Sequence, residues 1–119
     1  LETDKKELKL MERILRFNVN EQEIVRDPTC DFTGMVPGTF GYITAEFNFS
    51  KEWDGCVKVV GFRSGPNEYE PKILQDGRFC IIDDEVLKRT IFYIHVVGKK
   101  KDFRIKTNEV MVKQDGGAK

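Results

Sequence analysis

His95 is the chain's single histidine, and imidazole is the side chain best suited to moving a proton near neutral pH. It lies in TIFYIHVV (Thr90–Val97), on the same face as Ile91, Tyr93 and Val97. No serine or cysteine can be paired with it by spacing, so it reads as a half-buried, hydrogen-bonded strand residue rather than a general base. Asp83-Asp84-Glu85 is the one acidic cluster with oxygens enough to attract a divalent cation. A capped helical turn with solvated carboxylates needs fewer coincidences. No glycine-rich phosphate loop opens a helix, and no pair of residues has metal-ligand spacing. Catalysis, a cofactor and a metal are therefore not expected; the chain does not read as an enzyme. Three aromatics, Trp53, Tyr42 and Tyr69, have the chemistry to stack on a sugar ring or a partner surface. Trp53, beside a strand end, reads first as a core plug. Lys99-Lys100-Lys101 forms a basic tip that suits a soluble hairpin or an electrostatic contact with an acidic partner.

These side chains must be positioned by a sheet. Gly41–Gly55 (GYITAEFNFSKEWDG) is the stretch around which the rest is organised. From Tyr42 to Phe49, Ile43, Ala45, Phe47 and Phe49 fall on one face and Tyr42, Thr44, Glu46 and Asn48 on the other, the period of a half-buried strand. Trp53 and the turn pair Asp54-Gly55 follow. Upstream, Ile14–Val19 is a strand with Leu15, Phe17 and Val19 inward, and Glu23–Arg26 is a short partner ended by Asp27-Pro28. Thr29–Thr39 is a long loop, read as covering a sheet end. Downstream, Cys56–Phe62 is a β-branched strand. Glu68–Leu74 is an edge strand or bulge because of Pro71. It is expected to form a hairpin with Arg78–Ile82 across Gln75-Asp76-Gly77. Val86 and Leu87, in the single interior helical turn, are placed to plug the sandwich edge. Thr90–Val97, apolar on both faces, is expected to be a central strand. Gly98–Asp102 reads as a charged hairpin loop, and Phe103–Thr107 and Val110–Lys113 close the sheet. The fold class predicted is an all-β, immunoglobulin-like, mostly antiparallel β-sandwich of about eight short strands with one short helical turn.

At 119 residues, with 20 basic and 20 acidic side chains, the chain has one domain's length and no net charge to favour nucleic acid or an anionic membrane. The domain is placed at 14–114, after a charged lead-in over 1–13 (flexible or a short helix, with Met11 as a natural start) and before a flexible tail over 115–119. The three cysteines, Cys30, Cys56 and Cys80, are dispersed and odd in number, which suits free thiols made in a reducing cytoplasm rather than a disulfide framework. Cys56 and Cys80 read as small core residues. No stretch has the length and apolarity of a signal peptide or a membrane span.

The ordered series of motifs resembles a small β-sandwich module of structural proteins from tailed phages and prophages of Gram-positive bacteria. It carries Phe-x-Phe-Ser before Trp53-Asp54-Gly55, then Lys58–Phe62, Asp76-Gly77 before the short strand with Cys80, and Glu85-Val86-Leu87. A hydrophobic strand ending at Gly98, Arg104–Asn108 and a final Val-x-Val complete the series. The likeness spans roughly Leu15 to Gly117, departing where Ile82-Asp83-Asp84 stands in place of the family's Pro-Trp. It implies a virion building block of tail, baseplate, fibre or head that binds other virion proteins or copies of itself, as a homo-oligomer in the particle, with no reaction. Localisation in the virion would follow synthesis in the host cytoplasm. Candidate contact residues are Trp53, Tyr42, Tyr69, Lys99, Lys100 and Lys101. Two alternatives are a carbohydrate-binding module for host cell wall, built on the three aromatics, and a phage-encoded inhibitor of a host defence protein.

Overall fold

A computed structural model describes residues 12–115. The lead-in expected over 1–13 and the tail expected over 115–119 lie outside the described residues, except that Arg13 opens the first strand and Asp115 N–H donates to the Met35 carbonyl. Among the described residues there are ten strands and two short helical turns: β1 (Arg13–Asn20), β2 (Glu23–Arg26), β3 (Ile43–Phe49), a 3-10 turn (Lys51–Trp53), β4 (Val57–Ser64), β5 (Asn67–Glu68), β6 (Lys72–Ile73), β7 (Phe79–Ile81), α1 (Asp84–Leu87), β8 (Ile91–Lys100), β9 (Phe103–Lys106) and β10 (Val110–Lys113). One sheet has four strands in the order β2-β1-β3-β7. The other has six, built on β10-β8-β4-β5, with β6 also on β4 and β9 also on β8. The protein is an all-β sandwich.

The alternation along β3 does what its period requires. Ile43, Ala45 and Phe47 are buried, and Phe49 is half-buried against them. Leu15, Phe17 and Val19 on β1 extend that apolar face, and Val60, Phe62, Phe92, Ile94, Val96 and Val112 meet it from the six-stranded sheet. Aromatic rings run through the four-stranded half: Phe17 stacks on Phe47 at 5.4 Å, Phe47 on Phe49 at 6.0 Å, and Phe49 meets Trp53 at 5.0 Å. Val86 and Leu87 of α1 plug the core, both buried.

Two expectations, the hairpin across Gln75-Asp76-Gly77 and the loop at Gly98–Asp102, need correction, and the pairing of the strands adds detail to the rest. β1 and β3 pair in parallel, Leu15 beside Ala45 and Phe17 beside Phe47, whereas the other ladders among the described residues are antiparallel. β2 already occupies one edge of β1, so the chain must cross to the other edge. A parallel neighbour needs a dozen or more residues of connection, and the long loop between β2 and β3 supplies them. Its Met35 is buried, and Phe32 meets Phe17 edge-on at 5.4 Å.

Glu68–Leu74 and Arg78–Ile82 do not form a hairpin. β6 pairs with β4 and β7 with β3, so the turn at Asp76 and Gly77 (φ 52° and 66°) carries the chain from one sheet to the other. Only a Gln75–Phe79 bridge joins its two arms. Both flanking apolar residues, Leu74 and Cys80, are buried between the sheets, and each strand satisfies its ladder on the sheet nearest to it. Pro71 splits the edge expected as one strand into β5 and β6.

Gly98–Asp102 is not a loop either. β8 continues through Lys100, paired to Phe103, and turns only at Lys101 and Asp102 (φ 57°). β8 is a central strand, as expected, and its two faces differ in burial. Phe92, Ile94 and Val96 are buried, whereas Tyr93, His95 and Val97 are half-buried because no third layer among the described residues covers that side.

Candidate functional site

The outer face of the six-stranded sheet carries a groove of about 760 Å³, a size within the range of binding clefts. Register explains its floor. Val59, Gly61 and Arg63 of β4 stand opposite Val97, His95 and Tyr93 of β8, and all point away from the core because their neighbours Val60 and Phe62 point into it. Gly61 leaves a gap that the His95 imidazole fills: a Cβ at position 61 would lie 2.4 Å from the ring's Cε1. One wall is Glu68, Tyr69 and Pro71, where proline interrupts the β5–β6 edge. It is held to β4 by backbone bonds from Tyr69 N to Phe62 O (3.0 Å) and from Leu74 N to Lys58 O (2.9 Å). The other wall is Arg104 and Lys106 of β9 with Glu109 beyond it.

Charge within the groove is uneven. At one end the Arg63 guanidinium donates to both Glu109 carboxylate oxygens (2.8 and 2.7 Å), lies over the Tyr93 ring at 4.4 Å, and faces Glu68 across the ladder. The ion pair with Arg63 holds the Glu109 carboxyl below its ordinary range. At the other end Lys99, Arg104 and Lys106 line the groove, and no ion pair forms to any of the three among the described residues. His95 sits between. Burial and the nearby Lys106 ammonium push its pKa down, so the neutral ring is favoured.

The hydrogen bond expected of His95 is not formed: among the described residues no side chain or backbone group bonds its imidazole. The reason is geometric. The ring lies against the Gly61 backbone rather than beside a carboxylate, which leaves its nitrogens available at the groove floor.

The predicted contact residues do not converge. Trp53 is withdrawn from that set, because it is fully buried and its indole N–H donates to the Glu21 carbonyl at 2.9 Å. Tyr42 lies at the far end of the other sheet, near Arg13 and Thr33. Tyr69 lines the groove wall, its hydroxyl accepting from Arg89 at 3.0 Å. A three-aromatic sugar platform is therefore not assembled. The lysine tip also divides. Lys99 faces the groove, Lys100 donates to Asp54 O at 2.9 Å and lies over Phe103, and Lys101 stands exposed at the turn. The acidic cluster is partly spent: Asp83 meets the Lys72 ammonium at 2.7 Å, and that bond raises the lysine's pKa. No group of three or more potential metal ligands occurs among the described residues.

Gly61, Val59, Val97, Arg104 and Lys106 are among the groove members that sequence reasoning missed, and His95, weighed there as a strand residue, was not placed in a groove. A lone glycine inside the β-branched run Cys56–Phe62 was the available signal, since such a glycine often marks a close approach to backbone. Comparison with protein-family models, curated proteins and solved structures finds no match for this chain.

Proposed function

We propose that this chain is a structural or assembly module of a tailed-phage virion, acting by protein–protein binding through the open face of its six-stranded sheet. The observation that carries the binding reading is that face itself. Val57 and Ile73 are 58% and 70% exposed, beside the half-buried Val59 and Val97, and register aligns Ile73, Val59 and Val97 in one cross-strand row. Scattered exposed apolar residues are ordinary, but a contiguous row beside a groove has the form of an interaction surface.

The strand edges are less suited to the task. β5 and β6 are two residues each and are parted by Pro71, and β9 and β10 are parted at 107–109. On the other sheet, the Ile24 N–H at the β2 edge is already taken by Asn108 Oδ1 at 2.9 Å. Short, broken or occupied edges resist strand addition, which leaves the face for docking. The motif series named above supplies the virion context.

Mass spectrometry of purified particles tests this reading. The chain is expected at a fixed copy number per particle, and Val59→Asp is expected to reduce its incorporation while the isolated domain stays folded. Absence from particles, with the chain recovered only as free protein bound to a host enzyme, would instead support the inhibitor alternative.

A further inference from the structure

We propose that the groove recognises an acidic, apolar-bearing segment of a partner protein, its apolar side chains seated on Val59, Val97 and Tyr69 and its carboxylates met by Lys99, Arg104 and Lys106. The proposal rests on the binding role given to this face and adds the chemistry of the occupant. Charge complementarity selects it. The acids lining the groove, Glu68 and Glu109, are grouped about Arg63, whereas the three cations at the other end have no ion-pair partner among the described residues. Ladder register explains why these cations gather. Lys99 stands opposite Arg104, and Val97 opposite Lys106, so both β9 cations flank the apolar row on the same face.

Like charges gathered beside half-buried valines favour a partner of opposite sign and disfavour one of the same sign. A basic partner would set like charges against one another across the contact, and a neutral one would gain nothing from them. The neutral His95 ring at the floor, with no hydrogen bond among the described residues, offers one more polar contact to the occupant.

The test uses the whole chain and three fluorescent nine-residue peptides with the same Leu and Val positions, the remainder being Glu/Asp, Gln/Asn or Lys. The acidic peptide is expected to bind at least about ten-fold more tightly than the neutral one at low salt, with the margin shrinking as salt screens rim contacts. Arg104→Glu combined with Lys106→Glu is expected to reverse the preference, and Lys101→Glu, outside the groove, to leave it unchanged. NMR of the single histidine gives an independent readout. Its environment includes Arg63 and Glu68 from the β4–β5 side, Tyr93 and Lys99 on its own strand, and Arg104, Lys106 and Glu109 from the β9 side. Added carboxylates in the groove are expected to raise its titration midpoint. Equal binding of the three peptides, no binding, or tighter binding of a single-stranded oligonucleotide than of the acidic peptide would overturn the proposal. If particles incorporate the chain through this face while the peptides show no charge preference, the proposal fails and the assembly role stands.

Discussion

Gly98 and Gly61 offer a controlled comparison, because a methyl group at either position meets a ring at a forbidden distance. At Gly98 the added Cβ would lie 2.7 Å from Trp53 Cε3, and at Gly61 it would lie 2.4 Å from His95 Cε1. Distance alone makes Gly61→Ala the worse variant. Surroundings reverse the order. Trp53 is fully buried, packed against Phe49 and tied to Glu21, so the indole has nowhere to go. His95 is half-buried at the floor of an open groove and can rotate into it.

Replacing a strand glycine by alanine gains roughly 0.5–1 kcal/mol by restricting the unfolded chain. Overpacking a closed core costs about 1–3 kcal/mol, so Gly98→Ala is expected to lose about 1–2 kcal/mol, or roughly 4–8 °C in Tm at about 4 °C per kcal/mol. Moving His95 off its preferred rotamer costs about 0.5–1.5 kcal/mol, which nearly cancels the gain, and Gly61→Ala should stay within about 0.5 kcal/mol of the parent. Guanidinium unfolding followed by emission of the single tryptophan and by far-UV circular dichroism measures both, and only Gly98→Ala should alter the native emission spectrum. Equal losses for the two variants, or a larger loss for Gly61→Ala, would refute the claim that freedom of the ring decides the outcome.

Asn108→Ala removes the acceptor of the Ile24 N–H and frees the β2 edge; a loss of about 1–2 kcal/mol is expected with concentration-dependent self-association beyond that of the parent in light scattering, and an oligomeric state unchanged from the parent's would count against the edge-sealing role. In native protein at pH 8, one thiol is expected to react rapidly with a disulfide reagent. That thiol is the partly exposed Cys30, since Cys56 is buried and burial pushes Cys80 up to about 11; two or more fast thiols would contradict this packing. The Asp27 and Asp31 carboxyls lie below their ordinary range because they accept from the backbone N–H and hydroxyl of Thr29 and Thr33, respectively. A depressed folded-state pKa contributes stability above the unfolded value of 3.8 that is lost as pH falls through the folded one. Amide exchange in the 27–33 stretch should therefore rise in acid before that of β3 and β8, and simultaneous loss would tell against it.

Alternation of side chains is a local property of an extended backbone, so the inward rows of β1 and β3, the strand break at Pro71 and the plug formed by Val86 and Leu87 could all be read along the chain, whereas β8, apolar on both faces, gave no inward row. Trp53 as a core plug was legible for the same reason, from its place beside a strand end. Pairing is not local. Nothing in Gln75-Asp76-Gly77 says whether its arms bond to each other or to two different sheets, and nothing in Thr29–Thr39 says that it is the crossover of a parallel pair. The groove belongs to this second kind of fact: His95 meets Gly61 across thirty-odd residues of chain, and Lys106 joins Val97 only through register. Residue type and period determined which faces could be buried; the competition among strands for hydrogen-bonding partners, settled in three dimensions, decided which faces remained open.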